Sequence, residues 1–208
     1  MNTRFRLMTW GNTMNKDKFY RRFTLILVAI VLVSFLIIMP KNVYAEINPN
    51  QVASDYNMEL WEMWTHDTAN SQKMTYMDYR AITNKASNQY KFQHRDDVWV
   101  DEYGFLVQNS EWYVVAMGSY WGKIGDKFII HLENGEIISC VLGDIKSDRH
   151  TDRQNYAHES DGHVVEFLID SSAPYMKQVG MMKHGLVNKV FKQWDSKIVG
   201  ICKVKENW

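Results

Sequence analysis

The chain has 208 residues with 24 basic and 24 acidic side chains, so its formal net charge is zero. This total hides an asymmetry, because residues 1–45 hold seven basic side chains and one acidic one, which leaves 17 basic and 23 acidic side chains, a net charge of −6, in the remainder. An acidic protein is a poor binder of nucleic acid, so we expect no such partner. Only two cysteines are present, which excludes a disulfide-stapled scaffold and requires a hydrophobic core.

The first predicted element is an export signal at the N-terminus. Residues 23–39 form an apolar run without a charge, and four basic residues precede it: Lys16, Lys18, Arg21 and Arg22. Its 17 residues lie between the core of a secretory signal and the roughly 20 residues that span a bilayer. Val43-Tyr44-Ala45 favours cleavage before Glu46, and without cleavage residues 23–39 anchor the chain in the membrane. Both alternatives place the remaining chain outside the cytoplasm, and the start codon is either Met1 or Met14.

Residues 46–94 are predicted to be a short helical region, acting as a stalk or linker. Apolar residues recur at helical spacing from Val52 to Trp64, and a second helical segment is predicted from Met74 to Ala86. The first helix has two interpretations, a membrane-surface or partner-docking helix and a helix that packs on its own domain. Its acidic residues favour the second, since anionic membranes select basic helix faces.

From residue 95 to 208 the sequence predicts one mainly β domain. Short runs of strand-forming residues are separated by turn residues, a pattern typical of a small barrel or sandwich. Asn134-Gly135 predicts a two-residue hairpin turn, and residues 174–184 predict one intervening helix. Cys140 and Cys202 lie in apolar runs, where two buried thiols are favoured over one disulfide. The predicted strands are Val98–Val100, Phe105–Val107, Trp112–Met117, Phe128–Leu132, Ile137–Leu142, Val164–Ile169 and Ile198–Val204.

Carboxylates are concentrated directly after the predicted hairpin. Asp144 follows its second strand, and Asp148 and Asp152 lie within the next eight residues. A carboxyl that acts as a general acid must be protonated near neutral pH, which burial or neighbouring negative charge achieves by raising its pKa. Lys146 acts against this. The alternative for Asp144 is a turn residue that bonds local backbone N–H groups.

Other polar and aromatic residues are candidates for binding. Tyr120-Trp121, next to Gly118 and Gly122, predicts an exposed turn that stacks on sugar rings, and Glu166 is expected to face solvent or a groove. A metal site is conceivable among Asp148, His150, Asp152, His158, Asp161 and His163. Their spacing is not that of a structural zinc site and no cysteine joins them, so a solvated loop is favoured and no metal or cofactor is predicted.

Several of these segments resemble a known family. Ile124–Phe128, Leu132–Gly135 and Asp144 resemble the strand opening, hairpin and aspartate loop of the double-psi β-barrel of the rare lipoprotein A family, with almost the same spacing. Val165–Asp170 resembles the strand that closes this motif. The same barrel occurs in expansins and in the three-aspartate domain of cell-wall enzymes, and the wider chain resembles exported proteins of Gram-positive bacteria. The resemblance covers Ile124 to Asp170 and implies a small six-stranded double-psi barrel.

What the resemblance implies is binding or non-hydrolytic cleavage of peptidoglycan. The family's Arg-Gly-Pro after the aspartate is replaced here by Ile145-Lys146-Ser147, and Ser119-Tyr120 stand where catalytic members carry a histidine. These departures favour an exported cell-envelope module that binds cell-wall glycan without catalysis. The alternative is a lytic transglycosylase with Asp144 as acid and base. In either case the expected contacts with the glycan are Tyr120, Trp121, Asp148, Asp152, Glu166 and Asp170.

Overall fold

The computed structural model describes residues 59–63, as backbone only, and residues 69–205. The export run at residues 23–39, the cleavage site at 43–45 and the alternative start at Met14 lie outside the described residues. Within the described part of the chain, no helix has the length and apolar character needed to cross a bilayer.

The described residues contain ten strands and two short α-helices, which confirms a mainly β protein. The strands are β1 (Glu59–Met63), β2 (Thr75–Asp78), β3 (Val98–Val100), β4 (Leu106–Gln108), β5 (Trp112–Met117), β6 (Lys127–Leu132), β7 (Ile137–Ile145), β8 (Glu166–Ile169), β9 (His184–Leu186) and β10 (Ile198–Lys203). The helices are α1 (Asn88–Gln93) and α2 (Pro174–Gln178). Single 3-10 turns cover Tyr79–Ala81, Ser119–Trp121, Asp148–His150, Val187–Lys189 and Lys192–Trp194.

All ten strands belong to one mixed sheet. Eight of them follow the order β1-β10-β6-β7-β5-β8-β2-β9, while β3 pairs with β4 and β4 pairs with the start of β5. The β5–β7 and β2–β8 pairs are parallel, and β5 and β8 are antiparallel. Consequently β5 and β7 end where β8 and β2 begin. We call this end of the strands the site end of the sheet. It is formed by residues 69–74, 118–122 and 146–165.

The sequence correctly predicts the β6–β7 hairpin, although its turn is one residue longer than expected. Leu132 N donates to Glu136 O at 2.9 Å and Gly135 N donates to Leu132 O at 3.0 Å, so three residues connect the strands. Gly135 has φ 95°, the left-handed conformation that a three-residue hairpin turn requires. The Asn-Gly signal therefore gave the right position and the wrong turn class.

Both faces of the central strands are buried. Val115 and Phe167 belong to the larger hydrophobic cluster, whereas Val114, Ala116 and Leu168 belong to a smaller one that Phe92 of α1 helps to close. Successive residues of a strand point to opposite faces, so a strand covered on both sides reads as a continuous apolar run. This explains why β5 was recognisable from its composition alone.

The helices predicted before residue 95 are largely wrong where the structure describes them, and residues 52–58 and 64 of the first lie outside the described residues. Glu59–Met63 form an edge strand paired with β10, and Thr75–Asp78 form a strand between β8 and β9. The predicted helix at residues 174–184 is limited to Pro174–Gln178. Short apolar runs fit a strand as well as a helix, and here neighbouring strands supply backbone partners that the local sequence cannot reveal.

The sheet also has more strands than the six predicted for a double-psi barrel. Within the described residues, β1 pairs only with β10 and β9 only with β2, so the two ends of the strand order are not joined. The region assigned from sequence as a stalk or linker thus contributes an edge strand, β1, and an interior strand, β2. The β domain begins earlier in the chain than residue 95.

Asp78 ties the end of β2 to the segment after β8. Its buried carboxylate accepts hydrogen bonds from the backbone and guanidinium of Arg80 and from the backbone and hydroxyl of Ser171. Burial by itself would raise the pKa of Asp78, but these hydrogen bonds hold it well below the ordinary value. The ionised form is therefore the one that stabilises this end of the sheet.

We expect Asp78→Asn to lower the free energy of unfolding at pH 7 by about 1–3 kcal/mol, because an amide leaves some of these donors without a charged acceptor. Since the folded-state pKa is depressed, the contribution of the carboxylate is present above the unfolded-state pKa of about 3.9 and is lost as the pH falls through the folded-state value. Urea denaturation at pH 7 and pH 3.5 measures both effects.

Asp96→Asn is the matched control, because Asp96 is exposed and its replacement should change the free energy of unfolding by less than about 0.5 kcal/mol. Equal urea midpoints for Asp78→Asn and the wild type at pH 7 would contradict the proposed role of Asp78.

Candidate functional site

Polar side chains are concentrated at the site end of the sheet. The turn after β5 and the turn after β7 lie side by side there, and Ser119 Oγ donates to Asp148 Oδ1 at 3.2 Å. The loop that leads into β8 reaches the same edge, because β8 runs antiparallel to β5. The strand directions therefore bring together segments that are 20 to 50 residues apart in sequence.

Two carboxyl groups flank Ala116 at this end. Ala116 of β5 is paired with Asp144 of β7 on one side and with Glu166 of β8 on the other. Paired residues of neighbouring strands carry their side chains on the same face, and two strand spacings separate their Cα atoms by about 10 Å. Ala116 itself is fully buried, and its methyl side chain packs in the smaller hydrophobic cluster with Val114 and Leu168.

A β-bulge at Gly143 produces this arrangement. The register shifts so that Val115 is paired with Leu142 but Ala116 with Asp144, which leaves Gly143 as the extra residue. A Cβ atom on Gly143 would lie 2.1 Å from Val114 Cγ1, so no larger residue fits without a shift of the strand. The strand predicted from the sequence covers Ile137–Leu142, whereas β7 continues to Ile145 and carries Asp144 within the sheet.

Asp144 meets the electrostatic requirement for a protonatable acid. Burial raises the pKa of Asp144 to about 6, and the nearby Glu166 adds to this rise. The hydrogen bond from the Ile145 backbone and the charge of Lys146 act in the opposite direction and do not cancel it. A carboxyl with this pKa exchanges a proton close to neutral pH, which is the property that a general acid needs.

Lys146 is the least expected member of the site, because a lysine directly after a strand is normally exposed. It is only 8% exposed, and burial lowers the pKa of its ammonium to about 8. Its Nζ lies 4.0 Å from Glu166 Oε2 and has no hydrogen-bond partner among the described residues. An ammonium desolvated in this way gains from any acceptor that a ligand brings.

A cleft beside Glu166 extends the site towards β2 and β9. It has a volume of about 310 Å³ and is lined by Lys73, Thr75, Tyr76, Asp161, His163, Glu166, His184, Gly185 and Leu186. Thr75 Oγ1 and His163 Nε2 are buried and have no hydrogen-bond partner within the part of the chain that the structure describes. Together with Lys146 Nζ, three unpartnered polar atoms therefore lie in one small region.

The loop before β8 holds the residues best suited to a metal ion. His158, Asp161 and His163 each place one potential ligand atom within 4.8 Å of the other two. The site contains no residue from the Asp148-x-His150-x-Asp152 pattern that the sequence suggested.

The predicted aromatic turn is only half correct. Tyr120 is 41% exposed, as expected for a residue that stacks on sugar rings. Trp121 is completely buried, its Nε1 donates to Tyr156 O at 2.9 Å, and its ring packs against Tyr156 and Phe128. The indole thus finds a partner for its N–H group inside the core, and the expectation that it contacts a ligand is wrong.

The structure also separates the predicted acidic residues. Asp148 is exposed at the site end, and Asp152 accepts hydrogen bonds from Gln154 N and Tyr156 N within its own loop. Asp170 lies beyond the opposite end of β8, about 13 Å along the strand from Glu166, where it is 3.0 Å from Arg80 Nη2. A groove shared by Asp144 and Asp170 is therefore not present, because the strand length keeps them apart.

Neither cysteine is an activated nucleophile. Both thiols are free and buried, and burial raises the pKa of Cys202 to about 11 and that of Cys140 further. Cys202 Sγ lies 3.5 Å from Nε2 of the buried His131, a contact that only the pairing of β10 with β6 reveals. A thiol with a raised pKa beside a desolvated imidazole stays protonated, so this pair is structural.

We expect Asp144→Asn to raise the free energy of unfolding at pH 7.5 by about 1–3 kcal/mol, which is the energy equivalent of the shift in its pKa. The folded-state pKa lies above the unfolded-state value of about 3.9, so the wild type loses stability as the pH rises from 4 to 6. The charged groups that act on Asp144 in this range are Glu166 and Lys146. Urea denaturation between pH 4 and 8 tests this.

The gain should disappear below pH 4, where the wild-type carboxyl is protonated in both states. Asp148→Asn, at an exposed position of the same end, serves as the control and should shift stability by less than about 0.5 kcal/mol. A destabilised Asp144→Asn protein at pH 7.5 would show that Asp144 is a structural residue.

The function has to be inferred from this geometry, since fold and function are only loosely linked. Comparison of the chain with protein-family models, with curated proteins and with solved structures found no match.

Proposed function

We propose that this chain is an exported module of the cell envelope that binds peptidoglycan, or a related wall glycan, at the site end of its sheet. The observation that carries this proposal is the pair of carboxyl groups, Asp144 and Glu166, that flank Ala116 at an edge surrounded by polar loops. Sugar hydroxyl groups are both donors and acceptors, so they suit carboxylates and an unpartnered ammonium such as Lys146. Tyr120 supplies an exposed ring at the same end.

The proposal includes the double-psi barrel as the arrangement of the central strands. Support comes from the way β7 returns through the β6 hairpin to lie parallel to β5, with β8 antiparallel on the other side of β5. The apolar run at residues 23–39 supports an extracytoplasmic location. It serves as a membrane anchor if it is retained.

Binding is favoured over catalysis because of the charges around the site. Lys146, in the position where the resembling family has its Arg-Gly-Pro loop, is buried with its Nζ 4.0 Å from Glu166 Oε2, and its charge opposes protonation of Asp144. The turn at Ser119 and Tyr120 offers no histidine. The site therefore has groups that suit a glycan and lacks the residues that accompany the aspartate in catalytic members of the family that the sequence resembles.

A lytic transglycosylase is the second candidate, and the raised pKa of Asp144 specifically favours it. With a pKa of about 6, roughly a tenth of the carboxyl is protonated at pH 7. The protonated carboxyl would donate to the glycosidic oxygen as the bond breaks, and the carboxylate would then accept the proton of a hydroxyl of the same sugar as it attacks the anomeric carbon. This reaction uses one carboxyl and no water, unlike glycoside hydrolysis.

We expect the full-length chain to be retained by insoluble peptidoglycan and Asp144→Asn and Glu166→Gln to weaken this binding about ten- to a hundredfold, the loss typical of a hydrogen bond to a charged group. Co-sedimentation over a range of peptidoglycan concentrations gives the apparent affinities. Asp96→Asn, far from the site end, is the control and should bind as the wild type does. Unchanged binding of both site variants would contradict the proposal.

Mass analysis of the soluble fraction distinguishes the two functions. For the binding module, the wild type releases no fragments. For the enzyme, it releases fragments that end in an internal anhydro ring, release falls as the pH rises above about 6, and Asp144→Asn abolishes release.

A further inference from the structure

The loop from His158 to His163 is closed on itself by backbone hydrogen bonds. His158 N donates to His163 O at 3.0 Å, and Gly162 N donates to His158 O at 2.9 Å. Gly162 adopts φ 71°, which lets the chain reverse within so few residues. The reversal stacks the rings of His158 and His163, whose centroids are 4.7 Å apart with an interplanar angle of 17°.

Asp161 lies beside the Nδ1 atoms of the two stacked rings. Its Oδ1 is 2.5 Å from His163 Nδ1 and 3.4 Å from His158 Nδ1. The ligand atoms of a tetrahedral zinc ion, each 2.0 to 2.2 Å from the metal, are about 3.3–3.5 Å from one another. The distance from Asp161 Oδ1 to His158 Nδ1 already has this length. The distance from Asp161 Oδ1 to His163 Nδ1 reaches it when an ion replaces the shared hydrogen and the two atoms separate by about 1 Å.

Groups behind the three residues orient them for an ion. Lys73 Nζ binds Asp161 Oδ2 at 2.5 Å, which leaves Oδ1 to face the histidines and fixes the plane of the carboxylate. His163 is 5% exposed, and its Nε2 has no hydrogen-bond partner in the described residues. Because an ion at Nδ1 uses the other nitrogen of the ring, Nε2 stays available to a hydrogen-bonding partner.

We propose that His158, Asp161 and His163 bind a divalent transition-metal ion of the zinc class. Two imidazoles and one carboxylate select such an ion over calcium or magnesium, which prefer oxygen ligands. Two ammonium groups near the site would repel a cation, but each is paired with a carboxylate. Lys73 pairs with Asp161, and Lys146 Nζ lies 4.0 Å from Glu166 Oε2. Three protein ligands leave a fourth position open, and His158 and Asp161, both partly exposed, give the ion access from solvent.

None of the three residues belongs to the pair of carboxyl groups that flank Ala116, although Asp161 and His163 line the same cleft as Glu166. From the sequence a solvated loop is favoured here, since the His-x-x-Asp-x-His spacing matches no structural zinc pattern. The stacking of the rings beside Asp161 becomes visible only in three dimensions.

The test is titration of the untagged full-length chain with Zn²⁺, followed by calorimetry, and with Co²⁺, followed by visible absorption. We expect one Zn²⁺ per chain, a cobalt spectrum of tetrahedral character and a rise in the thermal midpoint on addition of Zn²⁺. Each of the variants His158→Ala, Asp161→Asn and His163→Ala should weaken Zn²⁺ binding at least tenfold and remove most of the thermal shift.

His150→Ala and His184→Ala are the matched controls, since both histidines are exposed near this region and lie outside the trio. They should bind Zn²⁺ as the wild type does. Circular dichroism without metal checks that each variant is folded, and Asp161→Asn, which keeps the size of the side chain, replaces any alanine variant that is not. Absence of stoichiometric Zn²⁺ binding, or binding that the three variants leave unchanged, would overturn the proposal.

Discussion

The pairing of β5 with β7 on one side and β8 on the other is the constraint on which the rest of the structure depends. Because β7 is parallel to β5 and β8 is antiparallel, two strand ends and one strand start meet at the same edge. Asp144 and Glu166 lie on strands that flank β5, and Ala116 of β5 pairs with both residues. The polar loops, the cleft and the histidine loop all reach this edge for the same reason.

This edge collects groups that are costly to bury. The carboxyl of Asp144 is desolvated, the ammonium of Lys146 lacks a hydrogen bond among the described residues, and Thr75 and His163 each carry an unpartnered polar atom. Such groups lower the stability of a folded protein unless something binds them. At the opposite end Asp78 is equally buried, but Arg80 and Ser171 satisfy its carboxylate. The two ends thus differ in whether their buried charges are satisfied within the fold.

Strands with strong local patterns could be predicted from the sequence. The limits of β3 and β5 agree with prediction, and those of β6 and β10 agree to within a residue. The strands β1 and β2 could not be predicted, since their conformation is set by partners more than 80 residues away.

An isolated glycine within a strand pattern signals a bulge, and Gly143 could have been recognised in this way. Of the candidate site, Asp144, Glu166 and Tyr120 could be named from the sequence, whereas the burial of Lys146 and Trp121 and the distance to Asp170 depend on topology.

The positions of the two thiols have a consequence for the compartment in which the chain folds. Cys140 on β7 and Cys202 on β10 lie on opposite sides of β6, so about two strand spacings separate their backbones. A disulfide requires Cα atoms closer than about 7 Å, so oxidation cannot join these residues within one folded chain. Both thiols are also sealed in the core. The domain therefore reaches the same covalent state in an oxidising and in a reducing environment and needs no thiol oxidase to fold.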